Sequence, residues 1–144
     1  MRIFVVLDTN VLVSALLTQN GNAAKVLEHA LSRNVVPVLN DEIIYEYEDV
    51  LTRDKFDFPM RQVEKLIKDL SDCGIILNRT ATDDLVKDPK DVVFYEVTLT
   101  AKEHHDAFLV TGNIKDFPVK PFVVTPREML DIIESAADSN RYGA

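Results

Sequence analysis

The chain has 144 residues, of which 47% are hydrophobic and 28% charged, a balance typical of one soluble globular domain with its own core. No apolar run approaches the roughly 20 residues that cross a membrane, and no signal-peptide pattern follows the first residues. The single cysteine excludes an internal disulfide and indicates a reducing compartment such as the cytoplasm. The net charge of −8 repels nucleic acid on average, so a nucleic-acid function requires a local basic rim or bound divalent cations.

The chain opens with a buried strand that ends at an aspartate. Residues 3–7 form an unbroken apolar run, which is typical of a strand buried on both faces inside a parallel sheet. Asp8 follows at once, and apolar residues then recur at helical spacing from about Val11 to Leu17. Asp8 is therefore predicted to lie at the carboxyl end of a central strand, where open α/β sheets bind their ligands.

Strands and helices alternate through the rest of the chain. Pro37 lacks an amide hydrogen, which predicts that its strand is an edge strand or leaves that position unpaired. Asn40 is a predicted cap of the third helix, and Glu46 lies beside the apolar stripe of that helix. The strands are predicted at about 35–39, 75–77, 107–111 and 122–124, and the helices at about 23–32, 40–51, 59–73 and 92–100.

Two helix starts in the second half carry capping signals. Asp88 and Pro89 form one start, with Asp91 where a reciprocal capping carboxylate would sit. This start favours a helix after it, although residues 92–100 are rich in Val and Thr and are compatible with a strand. Residues 125–128 form a capping box that opens the last helix. Small and polar residues follow Ala136, so we predict one domain over residues 1–136 and a flexible tail over 137–144.

Alternating strands and helices predict a three-layer α/β/α sandwich with a mostly parallel sheet of four to five strands. Asp8 and the turn at 112–116 both follow strands, whereas Asp91 begins a helix and Glu46 lies inside one. If the strands before Asp8 and before this turn are neighbours, several carboxylates converge. Converging carboxylates repel and raise one another's pKa unless a cation neutralises them, and oxygen ligands suit Mg²⁺ or Mn²⁺.

Each of these residues has an ordinary explanation when it is taken alone. Asp8 and Asp91 can serve only as helix caps, and Glu46 can be a solvated helix residue. Asp116 fits a turn, and the polar pair His104 and His105 before a strand fits the surface better than a general base. The functional interpretation therefore depends on the combination.

In combination, five stretches of the chain resemble a PIN domain, and more narrowly the branch that supplies the toxins of toxin–antitoxin pairs. They cover nearly the whole chain in the right order, and the first of them is the most specific. The stretches are residues 5–12, 46–51, 88–94, 109–113 and 124–128.

The resemblance implies an endoribonuclease that depends on Mg²⁺ or Mn²⁺, with RNA as substrate, a cognate antitoxin protein as partner and a homodimeric state. Asp8, Glu46 and Asp91 match the family's catalytic acids. The fourth acid of the family is replaced by Asn113, whose amide oxygen can coordinate a metal but carries no charge, and Asp116 is placed to take over. The implied metal ligands are Asp8, Asp91, Asn113 and Asp116, and the implied pocket-lining residues are Thr9, Asn10 and Thr111.

Basic residues flank the pocket segments and form a candidate RNA-binding rim. The four principal candidates are Arg53, Lys55, Lys90 and Lys115, and two further ones are Lys87 and Lys120.

Three other classes of function compete with a nuclease. A PIN-like domain that no longer cuts, and binds RNA or protein instead, is favoured by Asn113 and by the acidity of the chain. A receiver-type phosphorylation switch predicts paired acids at the first turn, where the chain has Asp8-Thr9-Asn10, and an aspartate after the third strand, where it has Leu77-Asn78-Arg79. A phosphatase of the haloacid dehalogenase kind needs a second aspartate at position 10, where the chain has asparagine.

Overall fold

The structure is a computed structural model that describes the backbone of residues 2–143 and the side chains of residues 2–138. Strands and helices alternate along this part of the chain. The strands are β1 (Ile3–Leu7), β2 (Val36–Leu39), β3 (Ile75–Ile76), β4 (Asp106–Val110) and β5 (Val123–Val124). The α-helices are α1 (Thr9–Leu17), α2 (Asn22–Leu31), α3 (Asp41–Leu51), α4 (Met60–Cys73), α5 (Val92–Lys102) and α6 (Pro126–Gly143). Short 3₁₀ turns cover Asp54–Phe56, Pro89–Asp91 and Ile114–Asp116.

The described strands form one parallel sheet in the order β3-β2-β1-β4-β5. Every residue of β1 is buried, as its unbroken apolar sequence predicts. The predicted α/β/α sandwich with a parallel sheet is confirmed. A receiver-type sheet has the order 2-1-3-4-5, so the strand order contradicts the receiver alternative.

Pro37 lies in an internal strand, so the first of the two predicted alternatives, an edge strand, is wrong, whereas the second agrees with the ladder between β2 and β3, which omits position 37. β2 pairs with β1 on one side and with β3 on the other, and the pairing with β3 begins only at Val38. Gly74, which precedes β3, approaches this point closely. A Cβ at position 74 would lie 2.3 Å from the carbonyl oxygen of Pro37, so only glycine fits there.

α5 covers the middle of the sheet, where it contacts β4, β1 and β2. The prediction of a helix rather than a strand after Pro89 is confirmed. Residues 93–98 are all buried, because sheet, neighbouring helices and loop surround this helix on every side. That enclosure explains why its Val-rich sequence has no polar face.

The long connection from β3 to α5 is held against α5 by polar contacts. Glu96, which is buried in α5, accepts hydrogen bonds from Arg79 Nε (2.8 Å) and from the backbone N–H of Thr82 (2.9 Å). Tyr95 donates its hydroxyl proton to Asp84 Oδ2 (2.6 Å). These bonds direct the end of the connection, with Asp88 and Asp91, toward the start of α5.

The capping box at the start of α6 is confirmed. The Thr125 N–H donates to Glu128 Oε1 (2.9 Å), and the Glu128 N–H donates to Thr125 Oγ1 (3.1 Å). The boundary between a domain of residues 1–136 and a tail of 137–144 stays a prediction, because residue 144 and the side chains from 139 onward lie outside the described residues. No helix within residues 2–143 combines the length and the apolar character needed to cross a bilayer.

Candidate active site

Asp8 lies at the point where the strand order of the sheet reverses. β1 pairs with β4 so that Leu7 lies beside Val110, which places Asp8 next to Thr111. Asp8 is only 4% exposed, and its N–H donates to the carbonyl of Val110 (2.9 Å). In open parallel sheets this reversal opens the crevice that holds the ligand.

A small hydrogen-bond network holds the Asp8 carboxylate. Its Oδ2 accepts from Thr111 Oγ1 (2.7 Å) and from Asn10 Nδ2 (3.1 Å). Asn10 Oδ1 in turn accepts from the Gly112 N–H (3.0 Å), and Thr111 Oγ1 accepts from the Asn113 N–H (3.0 Å). The loops after β1 and β4 are thereby joined around the carboxylate of Asp8.

The ionised form of Asp8 is held in an unfavourable environment. Burial raises its pKa, and repulsion by Asp116 adds to the increase. Hydrogen bonds from Thr111, from the Thr9 backbone and from Asn10 oppose the increase in part. The Asp8 carboxylate is therefore shielded from solvent, and none of the contacts just described brings a positive charge to it.

Asp91 shows that the acidic residues converge. Its pKa rises to about 7, first because it is withdrawn from water and then because other carboxylates repel its charge. These carboxylates are, in decreasing order of effect, Asp8, Asp88, Asp116 and Glu46. The structure therefore brings together acids that are far apart in the sequence.

Helix capping does not account for Asp8 or Asp91. Each occupies the position before the first residue of a helix, but neither makes a side-chain capping hydrogen bond. The cap of the turn before α5 is instead Asp88, whose Oδ1 accepts from the Lys90 N–H (3.0 Å). The carboxylate of Asp91 is therefore available for another role.

Asp116 lies close enough to the other carboxylates for its charge to act on them. Its charge raises the pKa of both Asp8 and Asp91, and it is half-buried, whereas Asn113 is exposed. The backbone carbonyl of Asp116 accepts from the Lys87 N–H (3.0 Å). This bond joins the turn after β4 to the connection that carries Asp91.

Tyr47 anchors the helix that carries Glu46. Its ring is buried, and its hydroxyl donates to the carbonyl of Leu7 at the end of β1. Burial and the nearby Asp8 charge raise its pKa, so the hydroxyl keeps the proton that it donates. The sequence does not identify this role, because the ring fits the apolar stripe of α3.

The remaining predicted pocket residue is Thr9. It is buried, and its Oγ1 has no hydrogen-bond partner among the described residues.

The four principal residues of the predicted basic rim have separate surroundings. Lys90 lines a cavity of about 570 Å³ together with Glu46. Arg53 pairs with Asp49 (3.1 Å), and Lys55 lies over the ring of Phe56 (5.0 Å). Lys115 is exposed, and the basic rim stays a prediction.

The acidic cluster fits a hard divalent cation in its chemistry. All converging donors are carboxylate oxygens, the ligands that Mg²⁺ and Mn²⁺ prefer, and a cation would relieve the repulsion that raises the pKa of Asp91. Within residues 2–138, however, no three His, Cys, Asp or Glu side chains lie as close together as the ligands of one ion. The donors are near one another without forming a finished three-ligand site.

The repulsion at Asp91 predicts a stability that depends on pH. Because its pKa rises from the usual 3.8 to about 7, the folded protein binds this proton more tightly than the unfolded chain. The free energy of unfolding of the metal-free protein should therefore fall as the pH rises from about 4 to 7. Asp91→Asn should remove much of this decrease and stabilise the protein at pH 8 by about 1–2 kcal/mol, a value reduced for the partial exposure of the residue.

Urea denaturation with a chelator at pH 5 and pH 8 measures this effect. Asp83→Asn, at an exposed position of the same connection, is the control and should leave the pH dependence unchanged. An Asp91→Asn protein no more stable than the wild type at pH 8 would contradict the predicted repulsion.

Fold and site together define a parallel α/β/α protein with a group of carboxylates near the carboxyl end of its sheet. A family model described as PIN domain matches residues 4–115, and the chain belongs to the PIN domain family. PIN domains are generally nucleases, which places the chain in a nuclease superfamily. No curated protein and no solved structure matches the chain significantly.

Proposed function

We propose that the protein is a metal-dependent endoribonuclease that hydrolyses RNA phosphodiester bonds with Mg²⁺ or Mn²⁺. The observation that carries this proposal is the group of carboxylates whose charges act on Asp91: Asp8, at the reversal point of the sheet, Asp116 and Glu46 all raise its pKa. Carboxylates that repel one another destabilise the folded protein, and a cation bound between them removes the repulsion. Such a group of carboxylates therefore indicates a cation-binding site.

The chemistry of the site suggests a role for each acid. Asp8 and Asp91 would hold the cation, with Asp116 or Asn113 as a further oxygen ligand. A bound Mg²⁺ or Mn²⁺ supplies positive charge for the phosphate and makes water a better nucleophile. Glu46, half-buried on α3, would accept a hydrogen bond from the attacking water and orient it toward phosphorus.

The same cation answers part of the objection from the net charge of −8. An acidic crevice repels phosphate when it is empty, but divalent cations are often the largest local charges in a site and reverse its sign. Binding of RNA is therefore expected to require the metal as well.

Cleavage of a labelled single-stranded RNA by the purified protein tests the proposal. We expect cleavage with Mn²⁺ or Mg²⁺, its loss on chelation with EDTA, and its return when either ion is added in excess. Cleavage that is indifferent to EDTA, or no cleavage of mixed-sequence RNA with either ion, would contradict a metal-dependent nuclease.

A PIN-like module that binds RNA or protein without cutting is the second candidate. Asn113, which stands where the family has an acid, and the lack of three closely placed acidic ligands among residues 2–138 favour it. RNA that is retained by the protein in the presence of Mn²⁺ but stays intact would support this function instead.

The resemblance also suggests a biological role, which we propose on that basis alone. The protein would be the toxin of a toxin–antitoxin pair, a cytoplasmic homodimer held inactive by its antitoxin. A neighbouring gene for a small protein with a DNA-binding segment would support this role.

A further inference from the structure

Arg79 joins the helix that carries Glu46 to the helix that Asp91 directly precedes. Its Nη1 donates to Glu42 Oε2 (2.6 Å) on α3, and its Nε donates to Glu96 Oε1 (2.8 Å) on α5. Glu42 lies one helical turn before Glu46, and Glu96 lies little more than one turn after Asp91. The guanidinium is therefore a bridge between the helices, attached to each of them about one helical turn from one of the two acids.

The two ends of the bridge differ in burial. The Glu96 side chain is 10% exposed, whereas the Glu42 side chain is 56% exposed. Removing Glu42 therefore leaves the more buried Arg79–Glu96 pair intact and has a small effect on stability, as is usual for exposed ion pairs. A role in folding and a role in positioning can thus be separated by experiment.

The bridge also lies beside the candidate active site. Arg79 and Glu42 line the same cavity as Glu46 and Lys90. Because the carboxylates of Glu46 and Asp91 repel each other, an attachment between α3 and α5 opposes their separation. A planar guanidinium with donors on two edges suits this task, since it can hold two carboxylates in a fixed relative geometry.

We propose that Arg79 is a positioning residue, and that its bridge from Glu96 to Glu42 holds the charge of Glu46 near Asp91 and thereby strengthens the attraction of the site for a divalent cation. This inference rests on the proposed function. Replacing residues that orient the ligands of a metal commonly changes the metal affinity by about 10–100-fold. Loss of the contact between Arg79 and Glu42 should therefore change the Mn²⁺ affinity by a measurable amount.

Glu42→Gln is the decisive variant, and Asp41→Asn is its matched control. Both remove one negative charge from the first turn of α3 and from the wall of the same cavity, but only Glu42 contacts Arg79 in the structure. We expect Glu42→Gln to bind Mn²⁺ about 10-fold more weakly than the control, measured from the electron paramagnetic resonance signal of free Mn²⁺. Its melting temperature should stay within about 2 °C of the wild type.

A second measurement tests the spacing without metal. Spin labels at exposed positions 48 on α3 and 102 on α5, in a Cys73→Ser background, report the distance between the helices. We expect Glu42→Gln to broaden this distance distribution and Asp41→Asn to leave it unchanged.

The outcomes separate this inference from the proposed function. An unchanged distance distribution in Glu42→Gln, or equal Mn²⁺ affinity in Glu42→Gln and Asp41→Asn, overturns the positioning role of Arg79. A wild-type protein that neither binds Mn²⁺ nor cleaves RNA overturns the metal-dependent nuclease, and a broadened distribution would then leave Arg79 as a bridge without a metal site.

Discussion

Asp8→Asn is expected to lower metal-dependent RNA cleavage by about 10²–10³-fold or more. A metal at such a site supplies several kcal/mol of transition-state stabilisation, and each 1.4 kcal/mol corresponds to about a tenfold change in rate. Asparagine keeps the shape of aspartate and an oxygen that accepts from Thr111 and Asn10, but it lacks the charge that attracts the cation. Cleavage of labelled RNA at saturating Mn²⁺ measures the loss.

The folded structure should survive this change. Burial raises the pKa of Asp8, so a neutral side chain at this position removes an unfavourable charge from the interior. Asp131→Asn, which removes an exposed carboxylate of α6, should keep full activity. Equal cleavage by the wild type and Asp8→Asn would mean that a contaminating nuclease makes the cuts, and the assignment would fall.

Glu96→Gln should produce the largest loss of stability among single changes of charge near the site. The Glu96 carboxylate accepts from Arg79 at Oε1 and from the Thr82 N–H at Oε2. A glutamine amide has only one oxygen, so in either orientation one donor faces the NH₂ group. Loss of the ion pair and one buried bond should lower the free energy of unfolding by about 2–3 kcal/mol, a value reduced because Arg79 is partly exposed.

Thermal and urea denaturation check this prediction, with a decrease in melting temperature of about 6–10 °C for a domain of this size. Glu64→Gln, at an exposed position of α4, should change the stability by less than about 0.5 kcal/mol. The connection between β3 and α5 should also become more sensitive to proteases. If Glu96→Gln is as stable as Glu64→Gln, the Arg79–Glu96 pair does not anchor this connection.

Much of the fold follows from local sequence. The unbroken apolar run of β1 predicts a central strand, and the capping residues predict the starts of α3 and α6. Pro37 marks the limit of this reasoning. Proline is excluded from an inner strand only where a neighbouring strand would accept a hydrogen bond from its missing amide hydrogen. Here β3 pairs with β2 only from Val38 onward, so no such bond is lost at Pro37. Whether proline is tolerated in β2 is therefore decided by the point at which β3 begins, which the local sequence around Pro37 does not contain.

The candidate site was predictable in its principal acids but not in its support. Asp8 follows a buried strand and Asp91 a helix-start signal, so both are visible in the sequence. The bridging role of Arg79 and the anchoring role of Tyr47 are not, because their partners lie far along the chain and an apolar stripe or a surface loop explains each residue equally well. Likewise, only the structure shows that the charge of Asp116 acts on Asp8 and Asp91.

The sequence by itself determined the alternation of strands and helices, the acids at their ends and the acidic balance of the surface, because hydrophobic periodicity and capping act between near neighbours. The tertiary structure decided the order of the strands, the convergence of Asp8, Glu46, Asp91 and Asp116, and the contacts that hold it. Electrostatic repulsion depends on the distance between charges in space. Acids that are far apart in the sequence, such as Asp8 and Asp116, come close enough to repel only when β1 and β4 pair.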